Sequence, residues 1–107
     1  MEPLLILTNL PDVASAEKLA HALVENRAAA CVNVLAPCHS IYRWQGAVEM
    51  ADEIPLLIKT SAVNYALVEE IILAHHPYDV PELIAIPITH GLPAYLDWLA
   101  TETEKHE

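Results

Sequence analysis

Two adjacent histidines, His75 and His76, precede a proline and are the residues in this sequence best suited to hold a metal ion. A neutral imidazole is a good ligand for copper, zinc and other transition metals. Neighbouring residues on a helix point about 100° apart, so two adjacent helical histidines rarely reach one ion. Pro77 disfavours helical geometry at His76 and would let the two rings converge. The alternative is structural: a cationic His75 would interact favourably with the negative end of the preceding helix.

The two cysteines are soft ligands in less suitable positions. Cys31 opens an apolar stretch and is expected to be a buried structural thiol. Cys38 and His39 adjoin Pro37 and are expected in a loop, but adjacent ligands lack the paired spacing of zinc sites. The sequence therefore favours the two histidines as the metal site.

No pattern in the sequence pairs an activated nucleophile with a base. A nucleophile elbow, a metal-hydrolase motif and a glycine-rich phosphate loop are all missing from the sequence. We therefore expect no catalytic residues and predict that the protein is not an enzyme.

Composition restricts the partners that the chain can have. Its 107 residues are 54% apolar and 19% charged, which indicates one folded domain over residues 1–107. Fifteen acidic against five basic residues give a net charge of −10, which would repel nucleic acids and anionic membranes, so neither is an expected partner. The apolar runs are shorter than the ~18 residues of a membrane span, and the N-terminus does not resemble a secretory signal. These features predict a cytoplasmic location.

Hydrophobic periodicity predicts the elements that would position these residues. Strands are expected at 4–7 (buried on both faces) and 83–86, helices at 13–27, 62–75 and 93–101, and a strand-rich segment at 31–60. A solvated tail with Glu102, Glu104, His106 and Glu107 follows. This order is typical of an α+β, ferredoxin-like β-α-β-β-α-β sandwich with a long central hairpin and an extra C-terminal helix.

The central hairpin is expected to turn at Gly46, with Pro37 and Pro55 interrupting its arms at bulges or edge positions. An arm of about 14 residues spans roughly 45 Å when extended, whereas a domain of this size is only about 35 Å across. The hairpin must therefore bend at its prolines or project from the domain. A projecting hairpin would expose Ile41, Tyr42 and Trp44, and pairing with another subunit would cover them, so we predict an oligomer.

Five short segments occur in a specific order: AAACVN at 28–33, SIYRWQG at 40–46, KT at 59–60, HHPYDVPE at 75–82 and YLDWL at 95–99. Together they resemble the CutA family, the so-called divalent-ion tolerance proteins, over about residues 4–99. The resemblance implies a ferredoxin-like fold, a homotrimer built through strand pairing between subunits, and binding of copper and other divalent cations.

The resemblance also bears on the candidate ligands. His75 and His76 match copper-ligating histidines of some members, and some relatives carry a cysteine where this chain has Thr8. In the ferredoxin-like order the last strand lies antiparallel to the first, which would bring the two histidines close to Leu7 and Thr8. A hydroxyl is a poor ligand for copper, so this chain is expected to bind copper more weakly than relatives with a thiolate.

Four further residues are candidates for an inter-subunit pocket: Trp44, Lys59, Tyr78 and Glu82 combine aromatic walls with charges of both signs. The alternative for Lys59 is an ion pair across the trimer contact. We therefore predict a homotrimeric divalent-metal-binding protein that acts in tolerance or response to copper and other heavy-metal cations. The alternatives are a trimeric sensor that binds a small metabolite in inter-subunit clefts, and a scaffold for other proteins.

Overall fold

The computed structural model describes residues 1–104 of the chain, so His106 and Glu107 of the predicted tail lie outside the described residues. The elements are β1 (Pro3–Leu10), α1 (Val13–Glu25), β2 (Cys31–Val34), β3 (Cys38–Trp44), β4 (Ala47–Ser61), a 3-10 helix (Ala62–Asn64), α2 (Tyr65–His75), β5 (Ile84–Pro87) and α3 (Pro93–Glu102). The predicted α+β class is confirmed, and the element order differs only in the central segment, where the first arm of the hairpin is divided into β2 and β3.

The sheet has the strand order β2-β4-β1-β5, and every pairing is antiparallel. The C-terminal part of β4 lies between β1 and β2, while its N-terminal part pairs with β3 from Ala47 to Glu53. As predicted, the last strand lies beside the first, with Ile84 opposite Leu7. The start of β5 and the end of β1 therefore meet at one end of the sheet.

One face of the sheet packs against the helices and forms the core. Strand β1 buries alternate residues, and its buried side chains pack with Leu19 of α1 and Ile72 of α2. The other face of β1, with Leu5 and Leu7, is only half-buried. The prediction that this strand is buried on both faces is wrong for the single chain, because the helices cover only one side of the sheet.

Local sequence signals explain where the helices begin and end. The Asp12 carboxylate accepts a hydrogen bond of 2.7 Å from the backbone N–H of Ser15 and caps the N-terminus of α1. Helix α2 ends at His75, and His76 has an extended backbone (φ −88°, ψ 131°) as its position before Pro77 requires. The expected departure of His76 from helical geometry is thus confirmed.

The central hairpin turns at Gln45 and Gly46, whose φ angles are both positive (48° and 83°). Such a turn matches the twist of the flanking strands, and glycine adopts it without a steric penalty. Pro37 lies in the break between β2 and β3, as predicted.

The predicted interruption at Pro55 is wrong, because β4 continues through this residue. Its carbonyl accepts a hydrogen bond from Leu35, just beyond the end of β2. In a strand the N–H and C=O of one residue point to the same side. The side of Pro55 on which another residue would have its N–H therefore faces the gap between β2 and β3. No ladder hydrogen bond is lost there.

The hairpin projects from the domain. The described chain measures 45 × 28 × 22 Å, and every residue from 41 to 50 is exposed. Within residues 1–104, no helix is long and apolar enough to cross a membrane.

Candidate functional site

His75 and His76 make separate hydrogen bonds at the end of α2. Nδ1 of His75 lies 2.9 Å from the carbonyl oxygen of Ile71, one turn back in its own helix. A carbonyl can only accept, so Nδ1 of His75 carries the hydrogen and donates it. This bond fixes the His75 ring against the last turn of its own helix.

The His76 imidazole ties the following loop to the sheet. Its Nε2 donates to the backbone carbonyl of Asn9 at 2.6 Å, and its Nδ1 accepts from the backbone N–H of Tyr78 at 3.2 Å. Both ring nitrogens are therefore in use, and the neutral tautomer with hydrogen on Nε2 satisfies both bonds. The ring also packs against the Tyr78 ring at a centroid distance of 4.7 Å.

The predicted proximity of the histidines to β1 is realised through His76 and Asn9, the residue that follows Thr8. Thr8 itself points into the buried face and is 1% exposed. Its hydroxyl is the one buried side-chain polar atom within residues 1–104 that has no hydrogen-bond partner. The described residues contain no group of three or more His, Cys, Asp or Glu side chains placed to hold a metal ion.

The cysteines differ from the expectations in two ways. Cys31 is half-buried rather than buried, because it lies at the start of β2 on the face that the helices leave open. Cys38 and His39 open strand β3 instead of lying in a loop, so their side chains point to opposite faces. Nδ1 of His39 lies 2.6 Å from the carboxylate of Asp52, its cross-strand partner.

A cleft of about 840 Å³ lies between the hairpin and the loop that joins α2 to β5. Three of the four predicted pocket residues, Trp44, Tyr78 and Glu82, line it. The cleft has the volume of a small-molecule site, although it is open along the hairpin in the single chain. We call it the hairpin cleft.

The alternation of the hairpin strands determines which side chains enter the hairpin cleft. Tyr42 lies opposite Glu49, and Glu53 lies further along the same face of β4. Side chains two residues apart share a face, so Tyr42 and Trp44 stand side by side on β3. Arg43 falls on the opposite face.

The loop on the other side of the hairpin cleft is fixed by a small number of polar contacts. Nδ2 of Asn9 donates to the carboxylate of Glu82 at 3.2 Å. Together with the two hydrogen bonds of His76, this contact attaches the loop to the end of β1. The sheet end thereby positions Tyr78 and Glu82 to face the hairpin.

Tyr78 and Glu53 interact across the hairpin cleft. Partial burial raises the pKa of the Tyr78 phenol above its ordinary value of 10.0, and the Glu53 carboxylate raises the pKa further through its charge and as a hydrogen-bond acceptor. Tyr42 and Asp12 add smaller contributions in the same direction. The Tyr78 hydroxyl is therefore a neutral hydrogen-bond donor throughout the physiological pH range.

Lys59, the fourth predicted pocket residue, lies apart from the hairpin cleft. It stands in the middle of β4 opposite Leu5 and Cys31. Since Ile58 and Thr60 face the helices, Lys59 lies on the open face of the sheet. The single chain does not bring it to the other three residues, and a role for Lys59 between subunits stays a prediction.

The cleft is also lined by Asn9 and by three carboxylates that were not candidates from the sequence, namely Glu49, Glu53 and Asp79. The signal for the two carboxylates on the hairpin, Glu49 and Glu53, was available. A two-residue turn at 45–46 places Trp44 opposite Ala47, and this register fixes the partner of every other residue in β3.

The sequence model of the CutA1 divalent ion tolerance proteins matches residues 4–102. The divalent-cation tolerance protein CutA of Thermus thermophilus is 46% identical over 103 residues, which are 96% of this chain and 99% of that protein. The crystal structure of CutA from Xylella fastidiosa has a TM-score of 0.94 at 45% sequence identity and covers 97% of this chain and 100% of that one.

Two relatives correct the prediction of a cytoplasmic location. A protein from Arabidopsis thaliana, 39% identical over 94% of this chain and 55% of that protein, is named chloroplastic. A solved structure from Archaeoglobus fulgidus is described as a periplasmic divalent cation tolerance protein, with 36% identity, a TM-score of 0.92 and coverage of 95% and 99%. The fold therefore occurs outside the cytoplasm, and the prediction is wrong.

The match over residues 4–102 and these levels of identity show that the chain belongs to the CutA1 divalent ion tolerance protein family.

Proposed function

We propose that this chain binds divalent cations as a homotrimer and acts in divalent-cation tolerance by binding rather than by catalytic turnover. Its relatives carry the name of divalent-cation tolerance proteins, which supports the role. Copper is the proposed ion, and His75 and His76 are the proposed ligands, with His75 as the principal one.

The observation that carries this proposal is the hydrogen bond of His75. Because Nδ1 donates to the carbonyl of Ile71, the neutral ring keeps its free lone pair on Nε2. Histidines that ligate metals usually donate their other ring N–H to a carbonyl or carboxylate in this way, which fixes the tautomer and the orientation of the ring. His75 is also exposed, so an ion can reach it from solvent.

His76 is a less accessible ligand than His75, because both of its ring nitrogens already form hydrogen bonds. Its Nε2 hydrogen is held by Asn9, so only Nδ1 can bind a metal, and it must first release the backbone N–H of Tyr78. Thr8 is buried and adds no soft ligand. The site is therefore expected to be weak and of modest selectivity among copper, zinc and similar ions.

The homotrimer is supported by apolar surface that the single chain leaves open. On the hairpin, Ile41 lies opposite Met50, with Val48 on the same face, and Ile41 is 72% exposed. On the open face of the sheet, Ile84 and Ile86 of β5 are also exposed. Packing against other copies would bury both surfaces and cover the free edges of the hairpin.

Calorimetric titration of the metal-free protein with Cu(II) and Zn(II) tests the metal proposal. We expect His75→Ala to abolish the tightest Cu(II) site and His76→Ala to weaken it. His90→Ala is the matched control, because His90 contacts Thr89 and lies outside the proposed site. Lowering the pH should weaken binding, since protonation removes the lone pair. Undiminished Cu(II) binding by a double His75→Ala and His76→Ala variant would refute the assignment.

Light scattering tests the trimer independently of the metal. We expect a mass three times that of the 11.8 kDa protomer at micromolar concentration, with or without copper. A mass equal to that of one protomer would contradict the proposal.

A further inference from the structure

The hairpin cleft has a charge that the metal proposal does not use. Four carboxylates line it: Glu49, Glu53, Asp79 and Glu82. Among its described lining residues there is no lysine, arginine or histidine. The cleft is therefore a concentration of negative charge in a protein that already carries a net charge of −10.

Glu53 is the carboxylate that most needs a positive partner. It is 8% exposed and lies at the wall of the hairpin cleft. The ion pairs found within residues 1–104 do not include it, and Tyr78 contributes only a neutral hydroxyl. A buried charge without a counter-charge is unfavourable, and a cation that enters the cleft would relieve this.

The walls of the hairpin cleft favour a particular kind of cation. Tyr42, Trp44 and Tyr78 line it and all are partly exposed in the single chain. Aromatic faces attract alkylammonium groups, and tryptophan does so most strongly. Hydrated divalent ions gain less from such walls, because magnesium and similar ions keep much of their water shell.

We propose that the hairpin cleft binds a small organic cation of the alkylammonium class, with Glu53 as its counter-charge and the Trp44 and Tyr78 rings as its walls. The volume of about 840 Å³ admits a ligand of metabolite size. The site is separate from the proposed metal ligand His75, which does not line the cleft. The inference goes beyond metal tolerance and gives the predicted small-metabolite alternative a ligand class.

Calorimetry with the purified full-length protein at about 0.15 M salt tests this proposal, since exposed charges are then largely screened. The probes are choline and 1,4-diaminobutane, and the control is 3,3-dimethylbutan-1-ol, the uncharged analogue of choline with the same shape. We expect at least one of the two cations to bind and the neutral alcohol to bind at least about tenfold more weakly. Absence of binding by both cations, or equal binding of choline and the alcohol, would overturn the proposal.

Substitutions show whether binding occurs at the hairpin cleft. Glu53→Gln keeps the shape of the side chain and should weaken binding of the organic cation about tenfold, because a charge-assisted contact becomes a neutral one. Trp44→Leu should weaken binding of the organic cation about fivefold through the loss of the aromatic face. Glu70→Gln makes the same change of net charge on exposed α2 surface outside the cleft and should have no effect.

Two further measurements separate the possible outcomes. Equal losses for Glu53→Gln and Glu70→Gln would show attraction by net charge alone and would refute a site at the hairpin cleft. Unfolding curves check that Glu53→Gln remains folded, which we expect because the substitution removes a buried charge. Cu(II) binding by Glu53→Gln should equal that of the parent, so the metal proposal and the cleft proposal can fail separately.

Discussion

Replacing Thr8 by valine should stabilise the protein, because the Thr8 hydroxyl is buried without a hydrogen bond. The side chain is 1% exposed, and its oxygen has no partner within residues 1–104. A buried polar group left unsatisfied costs about 1–3 kcal/mol. Valine has nearly the same shape and no polar atom. We therefore expect Thr8→Val to raise the free energy of unfolding by about 1–2 kcal/mol. For a domain of this size, each kcal/mol raises Tm by roughly 4–8 °C.

Thr60 provides the matched control on the neighbouring strand β4. It is also fully buried, but its hydroxyl donates to the carbonyl of Ala28. Thr60→Val makes the same chemical change and leaves that carbonyl without its donor, so the free energy of unfolding should fall by about 1–3 kcal/mol. The two substitutions should thus have opposite signs.

Urea unfolding monitored by circular dichroism measures both effects. Parent and variants must be compared at the same protein concentration, because association of subunits adds to the apparent stability. If Thr8→Val and Thr60→Val destabilise the protein equally, the Thr8 hydroxyl has a partner in solution, and the argument from its isolation is wrong.

Three further predictions use the same unfolding and binding assays. Burial is the chief cause that raises the pKa values of both Tyr65 and Tyr78 in the folded protein, so above pH 10 the unfolded chain loses these protons first. The free energy of unfolding should therefore fall from about pH 10 upward. An unchanged free energy of unfolding would contradict the pKa directions. Asn64→Ala should lower the free energy of unfolding by about 1–3 kcal/mol, because Nδ2 of buried Asn64 donates to the carbonyl of Thr103 at 2.8 Å; a change near zero would show that water replaces this bond. Thr8→Cys should strengthen Cu(II) binding in calorimetry, because a thiolate is a softer ligand than a hydroxyl, and unchanged binding would mean that the ion does not reach the buried layer.

Element types were predictable from the sequence because each has a strong local signal. Helix α1 has both an apolar stripe and the Asp12 cap, and α2 ends where Pro77 requires. The extent of β1 was not predictable in the same way. The apolar run suggested residues 4–7, but the strand continues to Leu10 because β4 supplies partners as far as Ile54. Strand length here is a property of the pairing, which apolar runs alone do not show.

The candidate site was predicted in part for a related reason. Aromatic and charged side chains in the hairpin and in the loop after α2 stood out by type, and three of them meet in the hairpin cleft. Lys59 stood out equally, yet its position in β4 directs it to the open face of the sheet. Glu53 did not stand out among fifteen acidic residues, because its burial depends on the packing of the loop at Tyr78 against the hairpin. Residue type selects candidates, whereas register decides which of them share a site.

His76 links the two proposed sites, and this affects how its substitution must be interpreted. Its ring holds the carbonyl of Asn9 and the backbone N–H of Tyr78, so it positions a wall of the hairpin cleft as well as offering Nδ1 to a metal. His76→Ala should therefore weaken binding of the organic cation as well as binding of Cu(II), because the backbone N–H of Tyr78 loses its hydrogen bond to the His76 ring. His75→Ala should weaken binding of Cu(II) alone, since the Nδ1 contact of His75 stays within α2. Full retention of organic-cation binding in His76→Ala would show that His76 does not support the cleft. Loss of that binding in His75→Ala would show that the two proposed sites are not separate.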